Sequence, residues 1–490
     1  MNYEGEIGGV VEKDNEKFLL IDSEKPMGDS KKYSNRHVCL VKINEKIYKK
    51  LEKLYAKKAF EERKKTESEE KFSTRTQKIL DSRFEIRADK DFFFFLSSGF
   101  LNGLKNFSMS KKGARCLSEV GEKDIRRIEG LESKDPGEVE KTIEMLAEIR
   151  ADLSEVKKWK RILKKNNIRI ALVFPFYNEP SVIENIRDVW DLIEEEIIEE
   201  IIIADGWSGN PSTDLIKRRL DAPLTVVKNP GTGKGEALES AIKYALHQDF
   251  DLVVCLDSDI KPPLHKINDI PPLPLDITCN FFARKFIFRF LRVLEKHGKR
   301  KALGTYYKAS YMRIQKKGNV LTPLRFGGTT IYVKKLYKML KFRSMDEFLY
   351  PLSGEYAFNP EFLLKELSVS RNFFELFGRK YHGPGLPTGF TIENFWNVLM
   401  EIKGLNVAFC NMFIHHHTPR KEKSKDPLAY AKQRGTVFRG AFGAILQSLP
   451  EEEAKKYVKY FDFDLFRLPR PKLRVEIDGK SVKNIKFMKN

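Results

Sequence analysis

From Ile168 onward, short apolar runs alternate with longer amphipathic stretches. Ile168–Phe174, Glu200–Ala204, Leu224–Val227 and Leu252–Leu256 read as strands, apolar over nearly their whole length. Ser181–Glu194 and Gly235–Leu246, which lie between them, carry apolar residues at helical spacing. Doubly covered strands separated by helices predict a Rossmann-like α/β fold with a doubly wound, mostly parallel sheet. Ligands of such sheets sit beyond the carboxyl ends of the strands, so the polar groups that follow each strand are the place to look for chemistry.

The pattern before this point is different. Val10–Asp22 suggests a small hairpin, and Val41 to about Lys71 is highly charged and helix-like. Four consecutive phenylalanines, 92–95, suit packing more than a site. Glu138–Lys165 places Ile143, Leu146, Ile149 and Leu153 on one helical face. Residues 1–165 are therefore expected to form an added, largely helical accessory region without catalytic groups. Residues 166–425 form the main domain, and 426–490 a helical tail. The tail ends in a hairpin around Asp478-Gly479, flanked by Val475, Ile477 and Val482.

The chain has 490 residues, 41% of them hydrophobic, enough for a large core. No apolar run reaches the roughly 18 residues that a membrane-spanning helix needs. The start, Met1-Asn2-Tyr3-Glu4, lacks a basic-then-apolar leader, so the cytoplasm is the expected location. Five widely spaced cysteines indicate neither a disulfide framework nor a thiolate metal site. The net charge of +20 allows steering of anionic substrates and a peripheral contact with an anionic membrane. No nucleic-acid-binding motif accompanies it, so no nucleic-acid partner is expected. A homo-oligomer is expected.

Three strands end in polar groups at one sheet edge. Pro175-Phe176-Tyr177-Asn178-Glu179 follows the first, Asp205-Gly206-Trp207-Ser208 the second, and Asp257-Ser258-Asp259 the fourth. An Asp-x-Asp pair after an apolar strand suits a hard divalent cation, Mg²⁺ or Mn²⁺, that also holds a diphosphate. Two acids also end many strands with no such role. Pro230–Ala237 opens a helix with glycines and one lysine, Lys234. It is not a Walker A loop, because Lys228 and Gly235 stand where that motif has its first glycine and its Ser or Thr. Free N–H groups at such a helix start still suit an anion.

With these motifs in place, Ile170 to Arg420 resembles the glucosyl-3-phosphoglycerate synthases and their mannosyl relatives, which are retaining GT-A glycosyltransferases. The family's Pro-x-x-Asn/Asp-Glu matches Pro175, Asn178 and Glu179, and its Gly-Lys-Gly-Glu-Ala-Leu matches Gly233–Leu238. Its Asp-Ser-Asp is Asp257–Asp259, and its Pro-Leu-x-Gly-Glu-Tyr-Ala is Pro351–Ala357. A later Gly-x-x-x-Glu matches Gly389 and Glu393. The resemblance implies a GT-A sheet and transfer of glucose or mannose from a UDP- or GDP-sugar to a small phosphorylated acid such as 3-phosphoglycerate. Its implied donor-binding residues are Pro175, Phe176, Tyr177, Glu179, Asp205, Gly233, Lys234 and Ser258. Asp257, Asp259, Glu355 and Glu393 are the implied catalytic groups. The implied metal ligands are Asp259 and His417, with Asp257 close by; His415 is the alternative histidine of the run 415–417, since alternate strand residues share a face. Glu355 and Glu393 also read as helix-start carboxylates.

Two departures bear on the substrate. The family's Asp-Ser-Gly-Ser is Asp205-Gly206-Trp207-Ser208 here, and its acceptor loop Gly-Arg-Val-Thr is Phe326-Gly327-Gly328-Thr329. The acceptor arginine is thus displaced, leaving Arg325, Gly327, Gly328, Thr329 and Arg420 as the acceptor-binding set. Two alternatives stay open: transfer to a polyprenyl phosphate or polysaccharide, and a sugar-nucleotide nucleotidyltransferase. The second class usually places a glycine-rich basic loop directly after the first strand, and Pro175–Glu179 has neither Gly nor Lys.

Overall fold

The structure, a computed structural model, describes residues 2–53, 156–177, 179, 181–206, 216, 223–229, 233–258, 260, 279–317, 320–323, 333, 337, 352–368, 391–415, 437, 440, 441, 443–445, 448, 472–478 and 481–488. In chain order the strands are β1 (Asn2–Lys13), β2 (Glu16–Ser23), β3 (Lys31–Tyr33), β4 (Arg36–Lys42), β5 (Ile170–Phe176), β6 (Glu200–Asp205), β7 (Leu224–Lys228) and β8 (Leu252–Cys255). They continue with β9 (Thr305–Lys317), β10 (Val320–Pro323), β11 (Tyr356–Phe358), β12 (Asn406–His415), β13 (Lys472–Asp478) and β14 (Ser481–Phe487). The helices are α1 (Val156–Asn166), α2 (Val182–Asp188), α3 (Trp190–Glu194), α4 (Lys234–His247), α5 (Cys279–His297), α6 (Lys299–Leu303), α7 (Pro360–Glu366) and α8 (Thr391–Lys403).

Strands β5, β6, β7 and β8 are parallel and stand in the order β8-β5-β6-β7. The first strand is therefore flanked by the second and the fourth, and the crevice between β5 and β8 is the switch point where such sheets bind ligands. Alternate residues of β5 feed two cores. Ala171 and Val173 face the cluster with α4 and α8, whereas Leu172, Phe174 and Phe176 face the one with α2 and α5. The sheet then turns mixed: β11 runs antiparallel to both β8 and β9, and β12 parallel to β9.

The expected helix 181–194 divides at Val189 into α2 and α3. A larger correction concerns the start of the chain. Residues 2–42 were expected in a largely helical region with a small hairpin at Val10–Asp22; that hairpin is part of β1–β2, and the strands extend well beyond it, to β1–β4. Asp14 and Asn15 both have positive φ, 49° and 62°, which gives the β1–β2 hairpin a two-residue turn of the twist that hairpins favour. Helix begins only at residue 45, where the Asn44 side chain accepts from Ile47 N at 3.0 Å. The remaining expected helices of the first 155 residues lie outside the described residues.

Both ends of the chain join the central sheet. β1 pairs with β13 through residues 2–6 and with β7 through residues 10–12. The path β1-β2-β4-β14-β13 returns to β1, closing a five-stranded barrel in which only β4–β14 is parallel. Ile7, Val10, Leu19, Ile21, Val41, Leu473, Val475 and Ile485 fill it, with Ile47, Tyr48 and Leu51 of the helical turn packed on them. The hairpin expected around Asp478-Gly479 is β13–β14.

Buried charges fasten the barrel to α4 and β7. Asp22 accepts from Arg36 Nε at 2.6 Å and from Tyr33 Oη at 2.6 Å, and also pairs with Lys243 of α4. Lys228 of β7 pairs with Glu12 at 2.7 Å. Burial disfavours the Asp22 carboxylate, but Lys243 and Arg36 outweigh it and hold its pKa below the usual range.

A depressed carboxyl pKa adds stability that is complete above the unfolded value of about 4 and is lost as pH falls through the folded value. Asp22→Asn should lower the unfolding free energy by about 3–5 kcal/mol near neutrality, because Arg36 and Lys243 lose a buried counter-charge. Urea unfolding checks this, and the gap between variant and wild type should narrow below about pH 4.

Candidate active site

The groups at the β5–β8 switch point come from six parts of the chain: the ends of β5, β6 and β8, the starts of α4 and α8, and the residue before β11. β5 and β6 end in register, Phe176 opposite Asp205, so Tyr177 and Gly206 leave the sheet side by side. Leu256 N donates to Val173 O at 3.0 Å, which carries Asp257 to the same edge. Gly233 precedes α4 in extended backbone and places Lys234 at the first helical position.

Lys234 Nζ lies 2.6 Å from Asp257 Oδ1 and 2.7 Å from Glu393 Oε1, so one ammonium joins the end of β8 to the first turn of α8. Burial works against this charge, but Asp257 and Glu393 outweigh it and hold the lysine well above its ordinary pKa. Glu393 is itself raised, by burial first and by Asp257 in addition, while Lys234 opposes the shift. Glu393 shares a helical face with Trp396, whose Nε1 donates to Leu367 O at 3.1 Å. Trp396 meets Tyr356 edge-on at a 5.0 Å centroid distance and packs on Tyr306 and Phe358. This aromatic wall fixes α8 and keeps water from the charges.

Glu355 precedes β11 and is 4% exposed, and its Oε2 has no hydrogen-bond partner. Burial, then the charge of Asp257, raise its pKa. Gly354 is required for space, since its backbone is not left-handed. A Cβ there would lie 2.6 Å from Asp257 Oδ1 and closer still to the rest of the carboxylate. Asp257 thus rests in a cradle that any side chain at 354 would fill.

Asp257, Lys234, Glu355 and Glu393, expected to act together, are brought together. Asp205 is fully buried at the end of β6. Tyr177, the one exposed large hydrophobic among the described residues at 48%, stands just past β5. Pro175 and Phe176 are strand residues inside β5, and Phe176 packs into the core on the α2 and α5 side. Glu179 Oε1 accepts from Ser181 Oγ at 2.7 Å at the start of α2, and the Ser258 carbonyl accepts from Asn185 at 2.9 Å. Asn178, Asp259, Arg325, Gly327, Gly328, Thr329, His417 and Arg420 lie outside the described residues. His415 ends β12, and its side chain is likewise outside them.

Sequence reading missed Lys308, Tyr306 and Cys255. Lys308 is fully buried, and burial pushes its pKa down to about 8 against the pull of Glu393 and Glu355. Its signal was a lysine inside the aromatic strand Thr305-Tyr306-Tyr307-Lys308-Ala309. The Cys255 thiol is buried and held well above its usual pKa, by burial first, so it stays protonated.

Among the described residues no three His, Cys, Asp or Glu side chains form a metal-holding group, and Asp257 and Glu355 are the donors here that suit a divalent cation. The oxygen donors are hard, Asp257 is seated in a cradle of its own shape, and a second carboxylate oxygen, Glu355 Oε2, is buried without a partner.

Residues 171–340 match the family model described as glycosyl transferase family 2. The glucosyl-3-phosphoglycerate synthase of Petrotoga mobilis is 28% identical over 218 residues, 43% of this chain and 59% of that protein. The chain thus matches less than two thirds of that relative's length. A crystal structure of glucosyl-3-phosphoglycerate synthase from Mycobacterium tuberculosis with Mn²⁺, UDP and phosphoglyceric acid aligns with a TM-score of 0.39 at 21% identity, covering 59% of this chain and 82% of that one. The same enzyme with Mn²⁺, UDP-glucose and phosphoglyceric acid gives 0.38 at 21% identity, covering 59% and 83%. The segment that matches the glycosyl transferase family 2 model, residues 171–340, contains the parallel strands β5 to β8.

Lys234→Met leaves Asp257 and Glu393 without their shared cation and should cost about 3 kcal/mol or more. Gly354→Ala should cost about 1–3 kcal/mol through overpacking against Asp257. Thermal unfolding measures both, and wild-type melting of both variants would mean that the cluster is not formed in solution.

Proposed function

We propose that the protein is a metal-dependent retaining glycosyltransferase that moves glucose or mannose from a UDP- or GDP-sugar to a small phosphorylated acid such as 3-phosphoglycerate. The observation that carries this reading is the set Lys234, Asp257, Glu355 and Glu393, gathered at the switch point of the sheet whose segment 171–340 matches the glycosyl transferase family 2 model. The activity of the Petrotoga relative, a glucosyl-3-phosphoglycerate synthase, supports the substrate class.

In this reading Tyr177 stacks on the base, with Asp205 and Glu179 beside the nucleoside. Lys234 leaves its ion pair with Asp257 to meet the diphosphate. Asp257, Asp259 and His417 would hold Mg²⁺ or Mn²⁺, which would supply positive charge against the leaving diphosphate. Glu355 accepts from a hydroxyl of the transferring hexose. The sugar C1–O bond to the diphosphate breaks as the C1–O bond to the acceptor forms on the same face. The acceptor proton passes to the departing phosphate oxygen, and nucleoside diphosphate is released. The protein's own work is positioning and electrostatics.

The test is a panel of UDP- and GDP-glucose and -mannose against 3-phosphoglycerate, other phosphorylated acids, a polyprenyl phosphate and a glucan, read as released nucleotide. Product with a phosphorylated acid, lost in EDTA and in a folded Asp259→Ala variant, is expected. Transfer to the lipid or glucan alone, or full activity in EDTA, overturns the proposal.

The acceptor's anionic group is assigned to Thr329, the backbone N–H groups at Gly327 and Gly328, and Arg325 or Arg420. Adjacent glycines permit close approach of an anion, and a guanidinium adds a charge-assisted contact. Such a contact is worth about 1.5–3 kcal/mol, so loss of the arginine that makes it should raise the acceptor KM roughly tenfold to a hundredfold with donor affinity kept. Unchanged acceptor KM in both Arg325→Ala and Arg420→Ala would place the acceptor elsewhere.

A further inference from the structure

Lys308 is a buried cation that the mechanism above does not use. It lies on β9, directly opposite Tyr356 of β11 in the antiparallel register. Its Nζ donates to Ser353 O at 3.1 Å. Ser353 Oγ donates back to Ala309 O at 2.6 Å, and Ala309 N donates to Glu355 O at 3.2 Å. Two adjacent residues of β9 thus grip the backbone on both sides of Gly354, the residue against which the Asp257 carboxylate rests. The ring of Tyr356 is bracketed by two ammonium groups, Lys308 Nζ at 5.7 Å and Lys234 Nζ at 5.9 Å from its centroid. Ser353, Lys308 and Glu355 are all buried.

A buried ammonium whose hydrogen-bond partner among the described residues is one neutral carbonyl is an expensive way to hold a turn. An apolar side chain would pack this strand at lower cost, so stability alone does not account for a lysine here. The acids of the site, Glu393 and Glu355, are the charges that favour its protonated form. The lysine therefore both grips the 353–355 turn and answers the negative charge gathered around it.

We infer that Lys308 is a positioning residue of the glycosyl-transfer site: it fixes the Ser353–Glu355 turn so that Gly354 seats Asp257 and Glu355 meets the transferring sugar. This deepens the proposed function and rests on it for the chemistry. The grip on the turn is independent of that reading.

The inference separates two quantities. The nucleotide end of the donor is held by groups on β5, β6 and α4, which Lys308 does not touch. Its loss should therefore spare nucleotide binding and reduce turnover. Displacements of about 1 Å at reacting groups cost roughly a hundredfold in rate.

The experiment compares Lys308→Met, Lys308→Gln and Ser353→Ala in the full chain. Three readouts apply: nucleotide affinity by calorimetry, kcat and KM with whichever donor and acceptor the wild type accepts, and amide exchange at Ala309 by mass spectrometry. Lys308→Met should bind the nucleotide within about threefold of wild type, lose roughly tenfold to a hundredfold in kcat, and exchange the Ala309 amide at least tenfold faster. Lys308→Gln keeps a donor for Ser353 O and should recover part of the kcat and of the protection, which a loss of stability alone would not give. Ser353→Ala should fall in between, and it carries the test with Lys308→Gln where Lys308→Met does not fold. Wild-type kcat together with wild-type exchange in the folded variants overturns the inference. A wild type that transfers to no acceptor overturns the proposed function instead, and the exchange result then decides alone whether Lys308 holds the turn.

Discussion

The ammonium of Lys234 is the constraint on which the site depends. It stands at the start of α4 and reaches Asp257 after β8 and Glu393 on α8, so three segments distant in sequence share one buried charge. Three carboxyl groups, Asp257, Glu355 and Glu393, meet two lysines, Lys234 and Lys308, behind an aromatic wall. The negative groups are in excess, and Glu355 and Glu393 are buried from the water that would screen them, whereas the Asp257 side chain is 29% exposed. The raised pKa values of Glu355 and Glu393 express that excess: a proton is the simplest way for such a group to shed charge. A bound cation would do the same without a proton and would favour ionised carboxyl groups.

The same helix carries a second ion cluster. Lys243 lies nine residues after Lys234, about 13 Å along α4, and pairs with Asp22 of the barrel and with Glu239. α4 is thus pinned at the site by its first residue and at the barrel by its third turn. Ser240 on the same helix donates to Gly8 O, and a Cβ at Gly9 would lie 3.0 Å from that serine, so β1 approaches α4 as closely as only glycine permits. The position of Lys234 therefore depends in part on strands from the two ends of the chain, even though no catalytic group lies on them among the described residues.

Local patterning exposed the parallel core because its strands are apolar on both faces. Leu224–Val227 and Leu252–Leu256 were placed within one residue of β7 and β8, and β5 and β6 within two. The end of α4 and the hairpin β13–β14 were legible for the same reason, each carrying its own turn or cap signal. β1 was not legible. Its register is set by β2, β7 and β13, the last more than 450 residues away in sequence, and strand preference of this kind resides in the neighbours. Its density of Lys and Glu also resembles that of the helical stretches beyond it. Asp257, Lys234, Glu355 and Glu393 were legible because each lies within a recognisable motif, Asp257 after a strand, Lys234 and Glu393 at the start of a helix and Glu355 just before a strand. Lys308 was not, because a mid-strand lysine ordinarily points to solvent, and only the opposing Ser353–Tyr356 segment buries it.

The aromatic residues link these two kinds of information. Tyr306, Tyr356, Phe358 and Trp396 would be read from sequence as ordinary core, and their ring contacts at 5.0–6.2 Å are those of a core. Yet Tyr356 is also the residue that both lysines approach, and it adjoins Glu355 in the chain. Removing one of these rings would open a void and admit water, which weakens each charge interaction in the cluster as the local dielectric rises. The packing and the electrostatics of the site are therefore one arrangement. The wall makes the charges strong enough to matter, and the charges account for polar groups at a depth where packing alone would place none.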